Sequence, residues 1–402
     1  MSEVRVNNLT NANQTGGPTL SGITTFSSPH FFVPPQGTTA QRPQSAPVGS
    51  LRFNTDTYHL EYYKGDTIGW TEIEAELAEP LGGGTGSNAG LGHRGLIAGG
   101  YTGSDIGNHI NFITISTLGN AQDFGDLVTG VYRHAACGSR VRGFFISGST
   151  PSSPNGQTAI DTTVFASTSN ATDYGDLTQG GQYNEAVNNS TRAVVHLGSI
   201  GGTGQKNVLE YFTMSSTGRG VDFGDLNGIH FTGTEASSPI RGFFSGGQNS
   251  PASPYYSDTI SAITISTLGT YQDWGDTIKA KSNSSAGFAN ANRAFIAGGL
   301  DQPYTGVANT IEYFSTSSTG NSIDFGDTTI TAGFEFLVGL NDPTRGIIAC
   351  GSGNPGSGYV YNNNFIEFIT MSTAGNAADF GDLAQGGTYA RGCSSGNGGL
   401  SG

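Results

Sequence analysis

The stretch NAQDFGDLV, Asn120 to Val128, contains the four residues on which the reading of the whole chain turns, Asp123-Phe124-Gly125-Asp126. The pattern returns with only its aromatic changed: Asp173-Tyr174-Gly175-Asp176, Asp222-Phe223-Gly224-Asp225, Asp273-Trp274-Gly275-Asp276, Asp324-Phe325-Gly326-Asp327 and Asp379-Phe380-Gly381-Asp382. The first aspartates are spaced by 50, 49, 51, 51 and 55 residues. A period of that size belongs to arrays in which each repeat is one supersecondary unit stacked on the next.

Asp-Phe-Gly is also the tripeptide that holds magnesium in protein kinases. That chemistry needs a Gly-rich loop, a strand lysine and an HRD-type loop, and the chain has none of them. A catalytic aspartate is needed once, whereas six copies describe a structural part. Calcium is a poor fit as well, since it takes six to eight oxygens and each copy offers two carboxylates. The expectation is packing: Phe124, Tyr174, Phe223, Trp274, Phe325 and Phe380 as rings between neighbouring units, Gly for a sharp turn or close approach, and Asp side chains accepting backbone N–H groups of adjoining turns.

Two further markers keep step. RGLIAGG from Arg94 is echoed from Arg142, Arg192, Arg241, Arg293 and Arg345. INFITIST from Ile110 is echoed from Ile160, Val208, Ile260, Thr310 and Phe365. These segments are short, β-branched and aromatic, and bounded by Gly, Ser and Asn, which is the composition of strands and turns. Each repeat therefore has four strands, the fourth carrying the acidic motif. STLGN and SSTG between strands three and four read as hairpin turns.

Six such units predict an all-β fold, a six-bladed β-propeller over residues 92–402. The order of its elements resembles kelch repeats, although the Gly-Gly is complete in three copies and the fourth-strand Trp appears only as Trp274. The last segment, DFGDLAQGGTYARGCSSGN, ends on a first strand that lacks its own second strand. Joined to Arg94 onward it would close the ring and remove an exposed edge. Residues 87–93 are the other candidate for that place.

Composition limits function. Of 402 residues only 12% are charged, yet 35% are hydrophobic and 10% aromatic, enough to build a core. The net charge of −14 and the lack of a basic stripe disfavour nucleic acid. No apolar run approaches the roughly 20 residues of a membrane span, and the first residues have no signal-peptide core, so synthesis in a cytoplasm without membrane insertion is expected. Cys137, Cys350 and Cys393 fit neither a disulfide framework nor a zinc site. Cys137 and Cys393 read as buried packing groups. No cofactor or metal is expected.

The loops between strands two and three vary most among the repeats. They crowd one face of the expected disc and carry Tyr101, Tyr255, Tyr256, Tyr304, Tyr359 and Tyr361 among Asn, Ser and Asp. Tyrosine among small polar residues suits recognition, including stacking on sugar rings. The plainer alternative is local packing within decorated loops.

Residues 1–78 do not share the repeat. Pro29–Gly49 is Pro- and Gln-rich and reads as extended. Residues 50–73 read as a three-stranded meander, too small to be stable alone, and 79–91 as a Gly-rich linker. GTTAQRPQSAPVGSLRFNTDT (Gly37–Thr57), followed by LEYYKGD and GW, is similar to a module of tailed-bacteriophage virion proteins. The STxGN…DFGD repeats are similar to those of marine and cyanobacterial phages. The resemblance implies a virion component: residues 1–78 attach to other virion proteins, and the chain forms a homo-oligomer, a trimer by analogy with fibres. Entry of the N-terminal segment at the second strand of the first blade would place it opposite the variable loops, which would then face outward.

The leading functional expectation is thus a tail fibre or spike whose loop face binds a host-surface glycan or protein. The alternative is a structural decoration, collar or tail-nozzle protein. A glycan depolymerase would need two carboxylates about 5–10 Å apart. The unrepeated acids Asp105, Glu185, Glu235, Asp258 and Asp301 form no recognisable pair in sequence, and the seven histidines show no metal spacing. The reading is a non-enzyme.

Overall fold

The computed structural model describes residues 34–57, 59–73, 93–201, 204–228, 231–248, 256–269, 271–282, 285–301, 306–329, 334–353, 360–361 and 363–396. Contacts divide the chain into two compact units, Met1–Glu76 and Leu77–Gly402. Among the described residues the architecture is all-β, with one short 3-10 turn at Thr39–Gln41.

The larger unit contains six four-stranded antiparallel sheets. The second runs Ala135–Gly138, Arg142–Ile146, Ala159–Val164, Thr172–Asp176. The third spans Glu185–Asn188 to Val221–Asp225, and the fourth Thr234–Ser237 to Gln272–Asp276. The fifth spans Ala286–Ala289 to Ile323–Asp327, and the sixth Val338–Asn341 to Ala378–Asp382. The first sheet is assembled from both ends of the unit. Its inner strand, Arg391–Ser394, pairs with Arg94–Ala98, which leads on to His109–Thr114 and Gln122–Asp126. Inner strands of successive sheets adjoin, and that of the sixth adjoins that of the first, which adjoins the second. The row of sheets closes into a cycle.

A sheet inside such a row must hide both faces, and the second strands do so. RGFFI, RAVVH and their counterparts are buried at every residue after the arginine, as expected of strands covered on both sides. The core is six apolar clusters, each shared by two neighbouring sheets and each holding one motif aromatic. Tyr174 meets Phe212 and Met214 of the third sheet, and Phe380 meets Ile113 and Ile115 of the first.

The acidic motif positions these rings with a β-bulge. Ile110 faces Gly125 and Asn111 faces Asp123, so Phe124 is the extra residue. The same slip recurs in the other five sheets and turns the aromatic inward. The motif then grips the next sheet's hairpin turn. Gly375 N donates to Phe325 O (2.9 Å), Ala377 N to Asp327 O (2.8 Å), and Asp327 N to Asn376 Oδ1 (3.1 Å). The sixth sheet grips the first in the same way, through Gly119 N to Phe380 O and Asp382 N to Asn120 Oδ1. At Gly381, φ is +148° and an added Cβ would lie 2.6 Å from Gly119 O, so only glycine fits. The expectation that motif carboxylates cap adjoining turns is corrected. The motif contributes backbone atoms to the grip, and the first Asp of every copy is exposed, because the bulge spends the strand's one inward position on the ring.

The repeated arginines add a second link. Arg94 Nη1 donates to Phe165 O (2.7 Å), Arg192 to Ile265 O (3.1 Å), Arg241 to Thr316 O (3.2 Å), Arg293 to Met371 O (3.2 Å) and Arg345 to Ile115 O (3.0 Å). Each acceptor belongs to the following sheet. The three cysteines are free and buried, as members of these clusters.

In the smaller unit the expected three-stranded meander is a four-stranded sheet. Gln36–Gly37 adds a parallel edge to Leu51–Asn54, ahead of Leu60–Tyr63 and Trp70–Ile73. Two residues in a Pro-rich stretch are too short to show alternation, which is why the pattern missed them. The Pro- and Gln-rich segment lies over one face. Trp70 Nε1 donates to Pro43 O (2.9 Å). Buried Glu61 accepts from Arg42 Nε (3.1 Å), Arg52 Nη1 (3.2 Å) and Asn54 Nδ2 (2.6 Å). Burial pushes the Glu61 carboxyl up, but these donors outweigh it and hold it below its usual range.

Candidate functional site

In an up-and-down sheet the loop between strands two and three and the link between sheets lie on one face. Here short bridges tie each loop to its link: Tyr101 to Thr388, Tyr132 to Ser149, Phe231 to Gln248, with two-residue pairings in the other three sheets. Among the described residues five links then turn inward through left-handed residues placed two before the inner strand. Arg133, Tyr183, Thr232, Phe336 and Tyr389 have φ of 59°, 56°, 55°, 57° and 58°. Bulky residues rarely hold such φ, and they persist only where the surroundings over-determine them.

The effect is an aromatic collar at the centre of the cycle. The Arg133 guanidinium carbon lies 4.7, 4.4 and 4.9 Å from the ring centres of Tyr132, Tyr183 and Tyr389. Tyr183 packs on Phe231 (4.6 Å between centres) and Phe336 on Tyr389 (4.0 Å). Backbone joins successive links, with Arg133 N donating to Tyr389 O (3.1 Å) and Asn184 N to Arg133 O (3.3 Å). Arg133 Nη1 donates to Gln182 Oε1 (3.1 Å), which also accepts from Ser149 Oγ. Burial pushes the Tyr183 and Tyr389 hydroxyls up, so both stay protonated and able to donate.

Two of the tyrosines expected at a binding face join this collar. Tyr101 lies 5.9 Å from Tyr132 and 6.2 Å from Tyr361, centre to centre. Tyr361 is exposed and Tyr101 half-buried. Tyr256 is half-buried and bridged to Gln248, within its own loop. Tyr255, Tyr304 and Tyr359 lie outside the described residues. Sequence reasoning missed Tyr132, Arg133, Tyr183, Phe336 and Tyr389. The usable signal was variation: the position two before the inner strand reads Arg, Tyr, Thr, Phe and Tyr in otherwise repetitive units.

Polar groups gather in the inner strands and at the end of the third sheet's second strand. Arg391 Nε approaches Glu235 Oε1 at 3.7 Å, and His196 Nδ1 approaches Glu185 Oε2 at 3.6 Å. Glu235 is the second residue of its strand. It keeps partial exposure, as do Gly287, Gly339 and Gly392 at the same register, so these positions border a narrow solvent-reached space. The Glu185 charge bears on the Glu235 carboxyl. The two acids had shown no pairing in sequence because separate repeats supply them and only the cycle brings them near. Of the other unrepeated acids, Asp301 is paired with Lys279 (3.0 Å) and Lys281 (2.9 Å), and Asp105 is exposed. Among the described residues no group of three His, Cys, Asp or Glu side chains is placed to hold a metal.

Burial raises the Glu235 carboxyl to about 7, with Arg391 opposing and the Glu185 charge adding to the rise. Its ordinary value is 4.5. Between the two the folded chain binds more protons, so stability from this group grows as pH falls. Buried His134, pushed down to about 3 by burial, works in the opposite sense. A variant comparison separates the two. Wild type should gain melting temperature relative to Glu235→Gln between pH 8 and pH 5; a constant offset across that range would sink the assignment.

No family model and no curated protein matches the chain. A solved structure titled "Structure of YjhT" is similar, with a TM-score of 0.53 at 12% identity, over 65% of this chain and 87% of that one. The likeness at that identity is one of all-β fold.

Proposed function

We propose that residues 92–402 form a six-bladed, kelch-like β-propeller that serves as the recognition head of a phage tail-fibre or spike protein. Residues 1–78 join it to other virion proteins, and the loop face meets a glycan or protein of the host surface. The observation that carries the recognition reading is the division of labour among side chains. The repeated aromatics and arginines are spent on links between sheets. The unrepeated Tyr101, Tyr132, Arg133, Tyr183 and Tyr361 gather, half-buried or exposed, on the face where the loops differ. The virion assignment rests on the resemblance of Gly37–Thr57 and of the repeats to phage proteins.

Two measurements test the proposal. Mass spectrometry of purified particles should find the chain, and added full-length chain should bind host cells and slow adsorption, an effect weakened in Tyr101→Ala/Tyr361→Ala. Absence from particles would overturn the virion assignment. A loop face covered by other subunits in the intact particle would favour the decoration, collar or nozzle alternative.

A further inference from the structure

Arg133 is the cation of the collar, and its three stacked rings and its place on the loop face set its surroundings. Arg391 lies against Glu235, and Lys281 against Asp301 and Glu312. The repeated arginines donate across sheets to main-chain carbonyls. Arg133 lies among three tyrosine rings, and no carboxylate among the described residues is within ion-pair distance of it. Glu335 bears on Tyr389 through its charge. A guanidinium without a carboxylate partner, half-exposed on the loop face, is open to an anion from outside.

The geometry favours one kind of anion. A guanidinium carries five N–H donors in a rigid fork that matches a carboxylate. Gln182 and the Tyr389 hydroxyl take part of that fork, and Nε is buried with no partner. Stacking on the tyrosines fixes the plane of the group, so little is lost in ordering it on binding. The surrounding rings, Tyr132 and Tyr183 half-buried and Tyr361 exposed, offer faces on which the C–H side of a sugar ring can lie. We infer that the collar takes an acidic glycan, with the carboxylate of a uronic-acid-type sugar on Arg133 and its ring against the neighbouring tyrosines. This rests on the reading of the loop face as glycan-binding and adds the ligand's chemical class.

The test uses the full-length chain and a panel of uronic-acid-containing oligosaccharides, each paired with its carboxyl-reduced form. The expected result is binding of at least one acidic member, weakened tenfold or more by carboxyl reduction and by added salt. Arg133→Gln should reproduce that loss and Arg133→Lys should restore part of it, with melting temperature measured alongside. Should Arg133→Gln fail to fold, the ligand-side comparison on wild type still decides. Equal binding of acidic and reduced forms, or no binding to any acidic member, overturns the inference. Host-cell binding that survives those negatives would leave the recognition head standing without this ligand class. Loss of host-cell binding altogether would remove the head itself.

Discussion

A chain ending at Gly386 should not fold into the larger unit. The truncation removes the inner strand Arg391–Ser394, which pairs with Arg94–Ala98 and adjoins the inner strands of the sixth and second sheets. Lost with it are buried Ala390 and Cys393, the Arg391 contact to Glu235, and Tyr389 from the collar. The exposed edge of Arg94–Ala98 becomes a template for aggregation. The cost should be on the order of the whole net stability of such a domain, roughly 5–15 kcal/mol. The check is a thermal melt of the truncated chain and of a circular permutant that begins at residue 387 and joins Ser395 to His93 by a short linker. The truncated chain should aggregate or melt without a cooperative transition, and the permutant should melt like the intact chain. A truncated chain melting cooperatively within a few degrees of full length would show that the cycle does not depend on this strand.

The parts of the fold legible in sequence are those written six times. The period, the four strands and the position of Asp-aromatic-Gly-Asp on the last strand follow from composition and spacing, because each repeat states them independently. Relations between repeats were less legible. Nothing local in RGFFI says that its arginine will reach a carbonyl in the next sheet, as Arg241 reaches Thr316. Nothing local in QDFGD says that its backbone, rather than its carboxylates, will hold a foreign turn. The candidate site was half legible. Tyr101 and Tyr361 could be found because long variable loops advertise themselves. Arg133, Tyr183 and Tyr389 sit in short links that look like the start of a strand, and their left-handed backbone at non-glycine residues has no sequence signature.

The interface grip predicts a graded series in the fourth sheet. Trp274 is buried among Phe243, Phe314 and Ile296, lies under the Arg241 guanidinium at 4.7 Å, and donates Nε1–H to Ser315 O at 2.8 Å. Trp274→Ala empties that volume between two sheets that cannot close up, since both are held by their other neighbours. It should cost about 3–5 kcal/mol. Trp274→Phe installs the ring that the first, third, fifth and sixth copies carry at this place. It forfeits the hydrogen bond and some volume, about 1–2 kcal/mol. Gly275→Ala should approach the alanine variant from the opposite direction. Its φ is +147°, and the new Cβ would meet Gly320 O at 2.4 Å, so the fifth sheet's turn must be pushed away and the grip broken, at about 3 kcal/mol or more. Gly269→Ala, where nothing lies within 4 Å, is the control and should be near neutral. Denaturant midpoints of the four variants order these effects. If Trp274→Ala or Gly275→Ala moved the midpoint no further than Gly269→Ala, the repeated motif would not be what holds neighbouring sheets together.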